Sequence, residues 1–179
     1  KHGGTVILRI EDTDQGRLVE GAIEGMLTVF GEVGITFDEG YYLENGQLKE
    51  RGNFGPYLQS KRLDLYKKYV DELVASKHAY HCFCSEERLE ELRREQVALK
   101  KPPMYDRKCR NLTEAEIVAK KKAFSDEGKS SVIRQAVPES GTTTVSDLIY
   151  GEITYQNSTL DDQVLMKSDG YPTYHLAVV

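Results

Sequence analysis

The sequence lacks the long apolar runs, the many cysteines and the excess of positive charge that mark three common classes of protein. No stretch approaches the roughly 18 uninterrupted apolar residues of a membrane span, and no signal peptide is visible. Three cysteines are too few for a disulfide scaffold and are typical of a reducing compartment. With 24 Lys and Arg against 29 Asp and Glu, the net charge of −5 provides no global positive field for nucleic acid. We therefore expect neither a membrane nor DNA as a partner, and an RNA contact would need a local basic patch.

What is present indicates a folded, soluble protein. A chain of 179 residues that is 39% hydrophobic and 30% charged fits one globular domain, or one domain that carries an insert. The chain begins at Lys1 without a methionine and ends in the apolar run His175–Val179. We therefore expect it to be a fragment of a longer protein.

The first 78 residues predict alternating strands and helices. Thr5–Ile10 is a short β-branched run that is typical of a buried strand, and Val19–Phe30 has apolar residues at helical spacing. We interpret residues 38–58 as a long loop because they are rich in glycine and charge, and Ser60 as the cap of a second amphipathic helix. This order predicts an α/β unit with a parallel sheet.

A different pattern occupies residues 79–168. Ser85 is the expected cap of a charged helix, and Thr113 with Glu116 forms a capping box for a second helix. Runs of β type occur at 79–84, 131–137, 148–155 and 162–167. The pattern predicts an α+β insert in the α/β base, to which residues 169–179 return.

The acidic segment Glu11–Asp14 directly follows the first predicted strand, where α/β folds place their ligands. An EF-hand that starts at Asp12 is excluded, because its sixth position would be Arg17 and its twelfth Ile23. Two interpretations stay open. Asp12 and Asp14 form an Asp-x-Asp metal site, as in sugar-nucleotide transferases, or they are solvated carboxylates that cap the next helix.

Cys82, Cys84 and Cys109 have the spacing of a structural zinc site, with two thiols close together and a third 25 residues later. Zinc needs a fourth ligand, and Asn111 occupies the position where a Cys-x-His pair would supply a histidine. The alternatives within reach in the sequence are His78, His81 and Tyr105. The other interpretation is three buried cysteines that act as small hydrophobic residues.

Two further groups of residues suit ligand contact. The turn at Asp169–Pro172 presents Tyr174, whose hydroxyl group can hydrogen-bond a small substrate, or whose ring packs in the core. Basic residues concentrate in the insert around Tyr105, where they suit phosphate contact and base stacking, or form a solvated helix face with salt bridges. Among them are Arg107, Lys108 and Arg110.

Three motifs, in this order and at this spacing, resemble bacterial-type glutamyl-tRNA synthetases, bacterial or organellar. They are Leu8–Asp14, Gly55–Arg62 and Asp169–Ala177, and the resemblance covers essentially the whole chain. It implies part of a Rossmann-type class I catalytic domain in residues 1–78 and 169–179, with an inserted acceptor-binding subdomain in 79–168. It also implies an enzyme that condenses glutamate with ATP, used with Mg²⁺, and passes the glutamyl group to tRNA-Glu.

The resemblance also implies roles for single residues. Glu11 matches the residue that binds the α-amino group of glutamate, where a carboxylate pairs well with an ammonium. Tyr174 matches a residue that lines the glutamate pocket, and Val178 stands where the family often has asparagine. Arg107, Lys108 and Arg110 fall in the part that binds the tRNA 3′ end. The three cysteines with Tyr105 match a zinc pattern of some members.

The resemblance places the family's HIGH and KMSKS motifs outside this chain, so we assign no catalytic residue and expect the isolated chain to be inactive. Three alternatives stay open: the related enzyme that glutamylates a modified base of tRNA-Asp (glutamyl-queuosine), a non-catalytic RNA-binding remnant, and the sugar-nucleotide transferase. The expected compartment is a bacterial cytoplasm or an organelle such as the mitochondrial matrix.

Overall fold

The computed structural model describes residues 3–178, which form two compact units. The first unit contains the residues up to Lys67 and those from Tyr171 onward, and the second is Lys68–Gly170. The helices and strands, in chain order, are β1 (Ile7–Leu8), α1 (Ala22–Glu32), β2 (Glu39–Glu44), β3 (Gln47–Arg51), α2 (Leu63–Ala75), β4 (Ala79–Cys82), α3 (Glu86–Ala98), α4 (Glu114–Asp126), β5 (Val132–Gln135), β6 (Thr142–Asp147), β7 (Gly151–Gln156), β8 (Val164–Met166) and α5 (Tyr174–Ala177).

The first unit is built on a three-stranded sheet in the order β1-β2-β3. β1 runs parallel to β2, with Ile7 opposite Glu39, which agrees with the predicted parallel sheet, whereas β3 joins β2 in antiparallel direction. Beyond β1, Ile10 makes an isolated parallel bridge to Leu58. This bridge continues the parallel pairing past the end of the short strand, up to the residue before Glu11.

Residues 38–58 are not the long loop that the sequence predicted, because they contain the antiparallel hairpin of β2 and β3. Glu44 pairs with Gln47 across a two-residue turn of Asn45 and Gly46, whose φ angles are 53° and 73°. Asn-Gly is favoured in such turns because its backbone twist matches that of the flanking strands. The glycine that suggested a loop is therefore part of a hairpin turn.

Leu27, Tyr41 and Tyr57 form the buried core of the first unit. The Tyr57 hydroxyl group donates a hydrogen bond to the Glu39 carboxylate and accepts one from the backbone nitrogen of Phe54 at 3.0 Å. A buried hydroxyl needs such partners because an unpaired polar group loses its hydration without compensation. Core packing and these bonds together hold the segment before α2 against the sheet.

Two helices begin later than the sequence predicted. α1 starts at Ala22, after Gly21 has adopted a left-handed φ of 75° at the cap position. Gln59–Arg62 forms a 3₁₀ turn that leads into α2, so Ser60 is not a helix cap. Within residues 3–178, no helix combines the length and the apolar character that a membrane crossing requires.

The second unit contains an antiparallel sheet in the order β4-β5-β8 and the separate hairpin β6–β7. α3 starts at its predicted cap, where the Ser85 hydroxyl group accepts a hydrogen bond from the nitrogen of Arg88 at 3.4 Å. α4 starts with the predicted capping box, in which Thr113 and Glu116 each bind the backbone nitrogen of the other. Two capped helices beside an antiparallel sheet confirm the predicted α+β character.

The β6–β7 hairpin corrects the predicted strand at 148–155. β7 begins only at Gly151, and residues 148–150 form an exposed turn before it. The Asp147 carboxylate holds this turn by accepting hydrogen bonds from the nitrogens of Ile149 and Tyr150, at 2.7 and 2.8 Å. These two bonds lower the pKa of Asp147 because they stabilise its ionised form.

Gly40 in β2 is a position where the sheet has no room for a side chain. Its φ is +118°, and a Cβ there would overlap the carbonyl oxygen of Leu8 in β1. We expect Gly40→Ala to lower the free energy of unfolding by at least about 2 kcal/mol, because the β1–β2 pairing has to open. Urea unfolding followed by circular dichroism measures this change.

Gly25→Ala is the matched control. Gly25 lies inside α1 with open space where a Cβ would stand. We expect this change to raise the free energy of unfolding by about 0.5–1 kcal/mol, because alanine has the higher helix propensity. A Gly40→Ala variant as stable as the wild type would contradict the close approach of β1 and β2.

Candidate functional site

The acidic loop Glu11–Asp14 is anchored on both sides of Glu11, although it follows the short strand β1. Three hydrogen bonds tie the neighbours of Glu11, Ile10 and Asp12, to residues 57–60. The nitrogen of Ile10 donates to the carbonyl oxygen of Tyr57 at 2.8 Å, and the nitrogen of Gln59 donates to the carbonyl oxygen of Ile10 at 3.0 Å. The nitrogen of Ser60 donates to Asp12 Oδ1 at 2.8 Å. Both neighbours of Glu11 are therefore held, Ile10 through its backbone and Asp12 through its side chain.

Glu11 is exposed and lines a cavity of about 670 Å³ in the first unit. Its carboxylate oxygen Oε1 lies 3.7 Å from Arg9 Nη2. Apart from the basic Arg17, the other lining side chains are acidic or apolar, among them Asp12, Asp14, Leu18, Met26 and Leu58. An exposed carboxylate beside apolar surface can pair with an ammonium group while the rest of a small molecule contacts carbon.

The oxygens of Asp12 and Asp14 have local partners. Asp12 binds the nitrogen of Ser60, while Asp14 binds the nitrogen of Gly16 at 3.2 Å and Arg17 Nε at 2.6 Å. Asp14 thus caps the 3₁₀ turn that follows it, which agrees with the capping interpretation. Within residues 3–178, three cysteines form the sole group of three or more side chains that could hold a metal ion.

Tyr174 and Val178 lie at the two ends of α5, in the same compact unit as Glu11. Tyr174 is 63% exposed, and Val178 is half-buried with its nitrogen 3.2 Å from the carbonyl oxygen of Tyr174. Between them, the carbonyl oxygen of Ala177 accepts a hydrogen bond from Gln59 Nε2 at 3.0 Å. Gln59 therefore contacts both the segment of Glu11 and the segment of Tyr174, and the sequence analysis did not single it out.

The three cysteines lie together in the second unit. Their sulfur atoms are all within 4.8 Å of one another, and those of Cys84 and Cys109 are 3.7 Å apart. The Tyr105 hydroxyl oxygen lies 3.3 Å from Cys82 Sγ and 3.4 Å from Cys84 Sγ. Three sulfurs and one hydroxyl oxygen thus lie close together. A tetrahedral metal site has the same number of ligands, four.

Hydrogen bonding in this cluster favours a thiolate. Bonds from Cys109 and Cys84 hold the pKa of Cys82 below the ordinary thiol range. Arg88 Nη1 donates to Cys84 Sγ at 3.4 Å and brings positive charge to the same group of sulfurs. Burial raises the pKa of Tyr105, so the phenol keeps its proton when no cation is bound.

The fold separates Tyr105 from the other candidates for a fourth ligand. His78 and His81 each place Nδ1 against a serine hydroxyl group, at 3.0 Å in both cases. Asn111 is exposed. Tyr105 is therefore the candidate that lies with the sulfurs, which the sequence alone left open.

Arg107 and Arg110 lie mainly against Asp162, a carboxylate with no exposed surface. Arg107 Nε is 3.4 Å from one of its oxygens and Arg110 Nη1 is 3.2 Å from the other. The Tyr80 hydroxyl group donates to the second oxygen at 2.6 Å, and burial together with this bond raises the pKa of Tyr80. Lys108, between the two arginines, is exposed.

Arg134 is a buried residue that the sequence analysis missed. Its Nη1 donates to the carbonyl oxygen of Asp162 at 3.0 Å, and its guanidinium group lies 4.0 Å from the centre of the Tyr105 ring. Such a cation–π contact is favourable when the cation is desolvated. Arg134 therefore links the Asp162 network to the cysteine cluster.

Comparison with known proteins identifies relatives along the whole chain. Residues 1–179 match the family model described as tRNA synthetases class I (E and Q), catalytic domain. The chain is 48% identical to the glutamate–tRNA ligase of Clostridioides difficile (strain 630) and to that of Alkaliphilus metalliredigens (strain QYMF), over 100% of this chain and 36% of each relative.

Solved structures give the same result. The glutamate tRNA ligase of Elizabethkingia meningosepticum CCUG26117, in complex with its amino acid, matches with a TM-score of 0.79, and that of Elizabethkingia anophelis with 0.80. Both are 35% identical and cover 98% of this chain, which spans 34% and 35% of theirs. These matches confirm the resemblance and the mixed α/β fold class inferred from the sequence. They give no support to the tRNA-Asp enzyme, the RNA-binding remnant or the sugar-nucleotide transferase.

Asp162 is the buried charge on which the second unit depends. Its removal would leave Arg107 and Arg110 without their shared carboxylate and Tyr80 without an acceptor. We expect Asp162→Ala to lower the free energy of unfolding by about 3–5 kcal/mol, the usual effect of breaking a buried ion pair. Thermal and urea unfolding measure it.

Glu127→Ala is the matched control, since it removes a carboxylate whose ion pair with Lys129 is exposed. An exposed ion pair contributes little to stability, so the midpoint of unfolding should barely move. If both variants unfold at the same midpoint, Asp162 does not have the role assigned to it.

Proposed function

The chain belongs to the class I tRNA synthetases (E and Q), catalytic domain, and from this we propose that the protein carrying it is a glutamate–tRNA ligase. Glutamate and ATP would form glutamyl-adenylate with release of pyrophosphate, and the glutamyl group would then pass to the terminal adenosine of tRNA-Glu with release of AMP. The observation that carries this proposal is 48% identity to enzymes of that name along the entire chain. The chain spans 36% of the length of these relatives, so the whole reaction is proposed for the whole protein.

We propose that the first unit binds glutamate. Glu11 would pair with the α-ammonium group, because it is an exposed carboxylate whose neighbours Ile10 and Asp12 are held by three hydrogen bonds. Tyr174 would line the pocket from the start of α5, where its exposed ring and hydroxyl group are free to contact a ligand. Val178 would contribute apolar contact from the other end of that helix. ATP with Mg²⁺ is the proposed co-substrate, and we assign it no catalytic residue in this chain.

We propose that the predicted insert, residues 79–168, which lies within the second unit, contacts the acceptor end of the tRNA. Arg107, Lys108 and Arg110 are the proposed basic residues. Asp162 orients the two arginines, and Lys108 supplies an exposed ammonium group between them. Phosphate groups are bound by positive side chains at defined positions, and such local contacts do not require a positive net charge of the whole chain.

We propose that Cys82, Cys84, Cys109 and Tyr105 hold a structural zinc ion. Zinc–sulfur bonds of ~2.3 Å in a tetrahedron place the sulfurs roughly 3.8 Å apart. The sulfurs of Cys84 and Cys109 are already 3.7 Å apart. When bound, zinc would cross-link the end of β4 to the segment before α4, with no role in the chemistry of aminoacylation.

A bacterial cytoplasm is the proposed compartment. The relatives are bacterial proteins, and the three cysteines are free thiols. Free thiols persist where the surroundings are reducing.

Pyrophosphate exchange in the full-length protein tests the reaction. With glutamate, ATP and tRNA-Glu present, we expect exchange that requires glutamate. Glu11→Gln should lower kcat/KM for glutamate by about 10- to 100-fold, the effect of losing a charged hydrogen bond, and Tyr174→Phe by about 3- to 10-fold. Glu152→Gln and Tyr155→Phe, exposed positions of β7, are the matched controls and should behave like the wild type.

A well-folded full-length protein without glutamate-dependent exchange would overturn the proposed enzyme. An RNA-binding remnant would then be the remaining explanation for the fold. Exchange that depends on glutamate but is insensitive to both substitutions would keep the enzyme and remove the proposed amino-acid site.

The metal content of the purified protein tests the zinc site. We expect about one zinc ion per chain by mass spectrometry, and a lower melting temperature after chelation, because metal that binds only the folded state stabilises it. Cys109→Ser should lose the metal and Tyr105→Phe should release it to a chelator more readily.

Asn111→Ala should retain zinc like the wild type, because Asn111 is exposed. Protein that is free of zinc after growth with zinc, and whose melting temperature does not respond to added zinc, would contradict the proposed site. In that case the cysteines are packing residues.

A further inference from the structure

Gln59 connects the two segments that carry the proposed glutamate-binding residues. Its backbone nitrogen donates to the carbonyl oxygen of Ile10, the residue before Glu11, at 3.0 Å. Its side-chain nitrogen Nε2 donates to the carbonyl oxygen of Ala177, the residue before Val178, at 3.0 Å. Only 1% of Gln59 is exposed, so neither bond competes with solvent.

The orientation of the Gln59 amide is fixed by its partner. A carbonyl oxygen can only accept, so the nitrogen of the amide has to face Ala177. The other amide atom, Oε1, is buried without a partner within the described residues. The contact with Ala177 is therefore the bond that holds this side chain, and a residue of the same length without a donor cannot replace it.

We propose that Gln59 is a positioning residue for glutamate, which sets the distance between Glu11 and the helix α5 that carries Tyr174. The inference rests on the proposed function, since it assumes that these two residues bind one amino acid. A ligand of fixed length contacts both only when their separation is correct. Loosening the Gln59–Ala177 bond lets α5 shift relative to the acidic loop, which weakens glutamate binding and leaves ATP binding unchanged.

The test compares two substitutions in the full-length protein. Gln59→Met keeps the length of the side chain and removes the donor. Gln59→Glu keeps the shape and places an acceptor against the carbonyl oxygen of Ala177. We expect each to raise the KM for glutamate roughly tenfold in pyrophosphate exchange, with the KM for ATP within about twofold of the wild type.

Gln96→Met is the matched control. The Gln96 amide binds the backbone of Met104 through both its atoms, at 2.8 and 3.0 Å, in the second compact unit. This variant also loses hydrogen bonds between an amide and the backbone, but it should keep the wild-type KM for glutamate. If Gln59 had a purely structural role, its substitution would leave both KM values unchanged or would raise them equally.

A second measurement needs no variant. In the wild-type protein, titration with glutamate should shift the side-chain amide resonances of Gln59 and leave those of Gln96 in place. This keeps the inference testable if the Gln59 variants fail to fold.

The outcomes separate the two proposals. If the wild type shows no glutamate-dependent exchange, the proposed function fails first. If the wild type is active, the inference on Gln59 is overturned by folded variants with an unchanged KM for glutamate, by equal rises in both KM values, or by an unshifted Gln59 resonance.

Discussion

The parallel bridge between Ile10 and Leu58 is the contact on which the arrangement of the first unit depends. It pairs the residue before Glu11 with the segment that leads into α2, and the backbone bonds of Tyr57 and Gln59 extend it on both sides. Backbone N–H and C=O groups that are buried need hydrogen-bond partners. These bonds fix the course of the chain directly, without a side chain between them. The acidic loop therefore has a defined course, although Glu11–Asp14 itself belongs to no helix or strand.

The second unit is stabilised differently, by buried polar groups around a small apolar core. Its core consists of Tyr80, Cys82, Tyr105 and Cys109, and all four also belong to the network of sulfurs or to that of Asp162. Tyr105 takes part in both, through the sulfurs on one side and Arg134 on its ring. Buried polar networks are stable only when every member is satisfied. The packing of this unit and the proposed metal site thus depend on the same residues.

The sequence predicted those parts of the fold that depend on neighbouring residues. The capping box at Thr113 follows from residues three positions apart, and the hairpin turn Asn45–Gly46 has a local signal of the same kind, which was outweighed by the glycine and charge around it. The contact of Arg110 with Asp162 joins residues 52 positions apart and has no periodic signature. The bond of Gln59 to the carbonyl oxygen of Ala177 could not be predicted either, because the residues next to Gln59 in the sequence give no sign of this distant partner. The position of Glu11 after the first predicted strand marked it as a ligand candidate, but its role at the α-amino group came only from the family resemblance.

The bond between Gln59 and Ala177 has a consequence for the order of events on the ribosome. The two residues are 118 positions apart, and the whole second unit is synthesised between them. At ~5–20 residues per second, Ala177 is added roughly 6–24 s after Gln59. During that interval the side-chain amide of Gln59 has no carbonyl oxygen of Ala177 to bind. The proposed amino-acid site is thus completed only after the whole second unit has been synthesised.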